Sequence, residues 1–101
     1  MSFNSIELEV VRWGEARGII QNSTPLAQFG KTVEEVRELG DALAQNDKAG
    51  IIDGVGDVIV TLVMICAILD IDVTKCFASA YNEIKDRKGF LNKDGIFIKE
   101  V

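Results

Sequence analysis

From Val58 to Leu69 only Thr61 is polar. A helix over this run is apolar on every face, and such a helix has to be buried on every face. The run is twelve residues long, short of the ~20 needed to span a bilayer, so it is expected to be the central helix of a packed domain. The chain of 101 residues makes one domain, residues 1–101, near the lower end of what sustains its own core. So small a domain has difficulty surrounding one helix completely. A second copy is therefore expected to cover part of it, as a homodimer or a dimer of dimers.

Composition narrows the function. A hydrophobic share of 48% excludes a disordered chain, and a charged share of 27% is ordinary for a soluble one. The net charge of −5 argues against nonspecific nucleic-acid or membrane-surface binding, which needs a basic footprint. A nucleotide ligand stays open, since a metal and a few local cations can reverse the sign of one pocket. The absence of histidine removes histidine-based catalysis and, with no CxxC, zinc chemistry. Cys66 and Cys76 lie among apolar residues and read as reduced core thiols of a cytoplasmic protein. Met1 to Val10 has neither a basic head nor an apolar run, so no signal peptide is expected.

Taken in order, Ser5 can cap a first helix through Ile6, Val10, Val11 and Trp13, with Gly18 as its stop. Trp13 is either a core anchor or a pocket wall able to stack on a base. Asn22-Ser23-Thr24-Pro25 ends in a cap with proline at the first helical position. A second helix then runs from Pro25 through Leu26, Phe29, Val33, Val36, Leu39, Ala42 and Leu43, and breaks between Gln45 and Gly50. After the apolar third helix, Asp70-Ile71-Asp72 interrupts. Asp72 caps a fourth helix carrying Val73, Phe77, Ala80 and Ile84, and Gly89 is expected to end it. Phe90-Leu91, Asn92 to Gly95 and Ile96 to Lys99 read as a hairpin about an Asp-Gly turn. An isolated hairpin is marginal, so it should pack on the bundle or on a neighbour.

Glu34, Glu35 and Glu38 share one side of the second helix, and Asp53 and Asp57 one side of the third. Solvated glutamates are the plainer reading of such a run. Against it, the apolar stripe of Val33, Val36 and Leu39 leaves little room for all three to point away, and Asp57 opens the most apolar helix beside Val58 and Ile59, where an unpaired carboxylate is costly. Carboxylates gathered this way need a hard cation between them, magnesium where phosphates complete the shell. Gly54 and Gly56, each unfavourable in a helix by about 1 kcal/mol against alanine, point either to close approach at the backbone or to easier helix packing.

Glu34-Glu35-x-x-Glu38, then Gly56-Asp57-Val58 after an acidic residue, then Asn82-x-x-Lys85, resembles the MazG-like nucleoside triphosphate pyrophosphohydrolases, in their short stand-alone branch from phages and bacteria. Trp13 with Arg17-Gly18, Gln28 with Lys31, and Asn82 to Gly89 extend the resemblance over nearly the whole chain. It implies an all-α, four-helix MazG-like bundle, here with a short C-terminal β-hairpin and oligomeric. It also implies Mg²⁺-dependent hydrolysis of a nucleoside triphosphate, a deoxynucleotide by expectation, to the monophosphate and pyrophosphate. The family pattern is EExxE followed by ExxD, so Glu35, Glu38 and Asp57 correspond to metal ligands residue for residue. Gly54 stands where the family has its fourth ligand, a glutamate, and Asp53, one position earlier, is the nearest acid. The resemblance further suggests Glu34 as base for the attacking water, and Asn82, Lys85 and Lys88, with Arg87 as a weaker candidate, as phosphate ligands. It also suggests Trp13, Gln28 and Lys31 for the base. Two other classes stand beside the enzyme: a metal-dependent nucleotide-binding or regulatory protein without turnover, and a structural helical dimer with solvated acids.

Overall fold

A computed structural model describes residues 1–100 of the chain. It contains helices α1 (Phe3–Ala16), α2 (Ile19–Asn22), α3 (Pro25–Ala44), α4 (Lys48–Ile68) and α5 (Val73–Ile84), then strands β1 (Gly89–Leu91) and β2 (Phe97–Lys99). Four long helices and a hairpin match the expectation from the sequence. The single turn of α2 was not expected.

Each helix begins where a side chain can satisfy its free N–H groups. Ser2, not Ser5, caps α1: the Ser2 Oγ accepts from the Ser5 N–H at 3.2 Å. The expected cap is thus the third residue of the helix it was thought to start. Arg17 closes α1, and Gly18 at φ +76° supplies the left-handed step into α2 that a side chain would resist. Thr24 caps α3 with Pro25 at its first position, Asp47 caps α4, and Asp72 caps α5. The C-terminal ends of α3 and α4 repeat one device. Asn46 (φ 51°) and Asp70 (φ 56°) are left-handed, and the next N–H in each case returns to the third carbonyl from the helix end, Asp47 to Ala42 at 3.0 Å and Ile71 to Cys66 at 2.8 Å.

The close pair of the fold is α3 with α4, antiparallel across a three-residue link. Thr61 shows why the apolar run tolerates one hydroxyl. Its Oγ1 donates to the Val58 carbonyl at 2.7 Å and accepts from Thr32 of α3 at 2.8 Å, with both threonines buried. One turn before Val58, Gly54 is buried against α3, and a Cβ there would lie 3.2 Å from the Leu39 Cα. Gly56 has open space at the same place, so close approach explains Gly54 and not Gly56. On the far side Gly14 of α1 leaves room for Met64, the most deeply buried large side chain.

Two expectations about the third helix change. It starts at Lys48, ten residues before Val58, because Asp47 provides the cap, so Asp53 and Asp57 sit within the helix and do not open it. At 21 residues α4 is long and apolar enough to cross a membrane by length and composition; in the fold it instead packs on α1, α2, α3 and α5. Nor is it enclosed on every face within one chain: Ile52, Val55, Ile59, Leu62 and Leu69 remain exposed.

The C-terminal part is the least covered. Helix α5 ends at Ile84 and not at Gly89, which starts β1. Gly89 pairs with Lys99 and Leu91 with Phe97 across the turn at Asn92–Gly95. Both strands are solvent-exposed, and among the described residues the hairpin makes no extensive contact with the helices. Helix α5 is tethered mainly through its first turns, where Thr74 bonds Asn4 at 2.7 Å and Glu7 at 3.0 Å, and Phe77 meets Phe3. Both cysteines are free; Cys66 is half-buried, and Cys76 is exposed and not a core residue. Burial, then the neighbouring Cys76, pushes the Cys66 thiol up.

The seam makes a prediction. Gly54→Ala should destabilise the protein by about 1–3 kcal/mol through overpacking, whereas Gly56→Ala should be neutral or stabilising by up to about 1 kcal/mol. Urea titrations of the two variants check this.

Candidate active site

The three glutamates of α3 separate by role once the helix is packed. Glu35 faces α4 and is buried, at 8% exposure. Its Oε1 lies 3.4 Å from the Lys31 Nζ one turn earlier, and its Oε2 is buried without any partner among the described residues. Glu34 points outward and shares Lys31, again at 3.4 Å. Glu38 is exposed. Lys31 is therefore held between two carboxylates, and hydrogen bonding to Glu34, then the charges of Glu34 and Glu35, raise its pKa.

The α4 acids face the same region. Half-buried Asp57 lines both cavities that contain an α3 glutamate. One is a groove between α3 and α4 walled by Glu38, Asp41, Asp47, Asp53, Gly54 and Asp57. The other, about 500 Å³, lies among α1, α2, α3 and α4 and brings Trp13, Gln28 and Lys31 together with Glu35 and Asp57. The three residues suggested for a base and two of those suggested for a metal thus share one cavity. Trp13 is a cavity wall and not a core anchor: it is 45% exposed, with the Arg17 guanidinium 5.5 Å from its ring centroid.

Other suggested residues are not brought in. Glu34 lines neither cavity. Asn82, Lys85 and Lys88 are exposed beyond or at the end of α5 and line neither. Asp41 and Asp47 were missed by the sequence reading. Asp41 stands three residues after Glu38, a same-face spacing that marks it; Asp47 carried only the signature of a cap.

This donor set fits a divalent cation in its chemistry: hard carboxylate oxygens, one of them buried and unpartnered. Repulsion from Glu35, then some loss of hydration beside the neighbouring helix, then Glu34, hold the Glu38 carboxyl above its usual range, the mark of a cluster short of positive charge. Among the described residues, no three acids already converge into a ligand cage. The exposed Glu38 and Asp53 side chains are the ones free to reorient.

The raised Glu38 pKa has a sign that can be measured. Its folded-state pKa lies above the unfolded value, so the fold favours the protonated form. That contribution is full below the unfolded pKa and is lost as pH rises through the folded pKa. Without metal, Glu38→Gln should therefore melt higher than the parent at neutral pH, and the gap should close on acidification through the carboxylate range. Thermal melts in a chelator across pH check both.

Comparison with known proteins bears on the same residues. A stretch of 56 residues is 38% identical to an uncharacterized 18.2 kDa protein in the rep-hol intergenic region of Haemophilus phage HP1 (strain HP1c1), covering 55% of this chain and 34% of that protein. The chain thus spans about a third of the length of the curated relative it matches. No solved structure matches it. The model of the MazG nucleotide pyrophosphohydrolase domain matches residues 23–90, which include α3, α4, α5 and every acid of the groove. The chain belongs to the MazG nucleotide pyrophosphohydrolase family.

Proposed function

We propose that the chain hydrolyses a nucleoside triphosphate, a deoxynucleotide in the first instance, between the α and β phosphates, releasing the monophosphate and pyrophosphate with Mg²⁺ as cofactor. Family membership supports the reaction class. The observation that carries the reading is the buried, unpartnered Glu35 Oε2 in a cavity shared with Asp57, Trp13, Gln28 and Lys31.

Glu35, Glu38 and Asp57 would hold the metal, with Asp53 in place of the family's fourth ligand. A Cβ at Gly54 would crowd Leu39 at 3.1 Å from its Cβ, and Asp53 lines the same groove from one residue back. When bound, the ion neutralises phosphate charge and acidifies a water. Glu34 is the candidate base, its carboxylate kept beside Glu35 by their shared Lys31. Trp13 offers its ring to the base, and Gln28 and Lys31 border it. Asn82, Lys85 and Lys88 would bind the outer phosphates.

An assembled homodimer or dimer of dimers belongs to this proposal, with the whole chain acting as one domain. Helix α1, which precedes the matched segment, supplies Trp13 to the cavity. Apolar side chains stay exposed on α4 (Ile52, Ile59, Leu62), on α5 (Phe77, Tyr81, Ile84) and along the hairpin, more than an isolated small protein normally leaves in water. A second copy covering them would also give Asn82, Lys85 and Lys88 a route to a carboxylate groove. Two unbridged thiols suit the cytoplasm, where nucleotides are found.

Pyrophosphate release from each NTP and dNTP with Mg²⁺ tests the activity. Glu35→Gln, Glu38→Gln and Asp57→Asn should each lower kcat/KM by about a hundredfold or more, the scale of losing one charge-stabilising group, and Glu34→Gln should act on kcat. Magnesium-dependent nucleotide binding without product would favour the regulatory reading; no response of Tm to either ligand would favour a structural one. Light scattering should give at least twice the 11.1 kDa chain mass, and Ile59→Lys should lower it.

A further inference from the structure

Five apolar side chains of α4 stay exposed, Ile52, Val55, Ile59, Leu62 and Leu69. With half-buried Cys66 they follow one another at steps of three and four residues in strict alternation. An average step of about 3.5 residues is the period of a helix stripe along which a second helix packs, knobs into holes. The stripe runs about 25 Å along α4. The other faces of the helix are taken: Gly54 and Thr61 meet α3, and Met64 meets α1 at Gly14. Asp57 falls on the side of α4 opposite the stripe.

Reversed end for end, the stripe is its own complement. Its midpoint lies between Ile59 and Leu62. An antiparallel copy of α4 turned about that point sets Ile59 against the partner's Leu62, Val55 against the partner's Cys66 and Ile52 against the partner's Leu69. Each layer then joins a β-branched residue to an unbranched or γ-branched one, and the two small residues meet each other. Charge selects the same sense. The next position outward is Lys48, whose mate is the residue after the partner's Asp72, two beyond the partner's Asp70. Lys48, Asp70 and Asp72 are exposed, and among the described residues none of them is in an ion pair. A parallel copy would instead set Lys48 on Lys48 and Asp70 on Asp70. On one flank Phe3, Ile6 and Val10 of α1 continue the apolar surface, enclosing with Ile52 and Ile59 a cavity of about 470 Å³ that can receive side chains of the second copy.

We infer that two copies of the chain associate through an antiparallel α4–α4 interface in this register, with Cys66 buried against the partner's Val55. Removal of the stripe from water drives the association, and the Lys48 contacts fix its sense more than they add affinity. Asp57 of each copy is left facing away from the interface, and the start of the partner's α5 comes beside Lys48, at the end of α4 that carries Asp53. The inference rests on the assembly reading above and not on the hydrolytic one, and goes further by naming the helix, its sense and its register.

The test is cross-linking of the full chain. Val55→Cys on a Cys76→Ser background leaves thiols at positions 55 and 66, about 16 Å apart within one helix and out of each other's reach. Across the interface each faces the other's counterpart, and the interaxial spacing of packed helices, about 8–10 Å, brings their Cα atoms into disulfide range. Oxidised glutathione, itself reduced to two thiols as each bond closes, should convert most of the protein to a covalent dimer of twice the 11.1 kDa chain mass on a nonreducing gel. Peptide mapping should then show position 55 joined to position 66. Cys76→Ser alone should give no covalent dimer, because its two Cys66 thiols would stand about 16 Å apart along the interface. Ile52→Cys with Leu69→Cys, in a chain carrying Cys66→Ser and Cys76→Ser, reads the outer layer independently and should join 52 to 69. Bonds from 55 to 55 or 66 to 66, or a dimer by light scattering that neither variant cross-links, overturn this interface while the assembly stands. A monomer by light scattering overturns both.

Discussion

Helices α3 and α4 meet almost backbone to backbone. Gly54 removes a side chain where the Leu39 main chain passes, and the Thr32–Thr61 hydrogen bond gives the one buried polar pair across the seam a complete set of partners. Because the two helices are this close, Glu35 is pressed into the interface, and its carboxylate ends with one oxygen on Lys31 and one on nothing. A looser pair would let the same glutamate reach water, and the cluster would be an ordinary solvated face. Packing geometry thus decides whether these acids amount to chemistry.

Much of this was legible in the sequence because it rests on local signals. Thr24-Pro25 and Asp72 mark helix starts through short-range hydrogen bonds, and the Asp94-Gly95 turn marks a hairpin; such signals need no knowledge of tertiary structure. Ser2 and Ser5 show the limit. They are three residues apart, either could cap, and the choice depends on whether α1 gains an extra turn that places Phe3 against Phe77 of α5. Gln45 to Gly50 was read as a break and Asp53 to Asp57 as a helix opening, in a stretch where three glycines and an asparagine lower helix propensity. Asp47 and the close packing on α3 override it.

Within the site, same-face spacing on α3 and α4 was readable; Trp13, Gln28 and Lys31, named for the base through the resemblance, line one cavity. The division of labour among Glu34, Glu35 and Glu38 was not, because it depends on the rotation of α3 about its axis, which is set by contacts with α4. Asn82 and Lys85 were placed by resemblance alone, and helix α5 leaves them in solvent, outside the carboxylate grooves.

The contact at Gly54 binds two positions to a common history. A glutamate there would crowd the Cβ and Cα of residue 39, both within 3.2 Å of where its own Cβ must go. An acid at 54 is accommodated where α3 and α4 stand a few tenths of an ångström further apart at residue 39. Leucine at 39 and glycine at 54 are therefore expected to be exchanged together among relatives, with an acid at 53 retained wherever 54 stays bare.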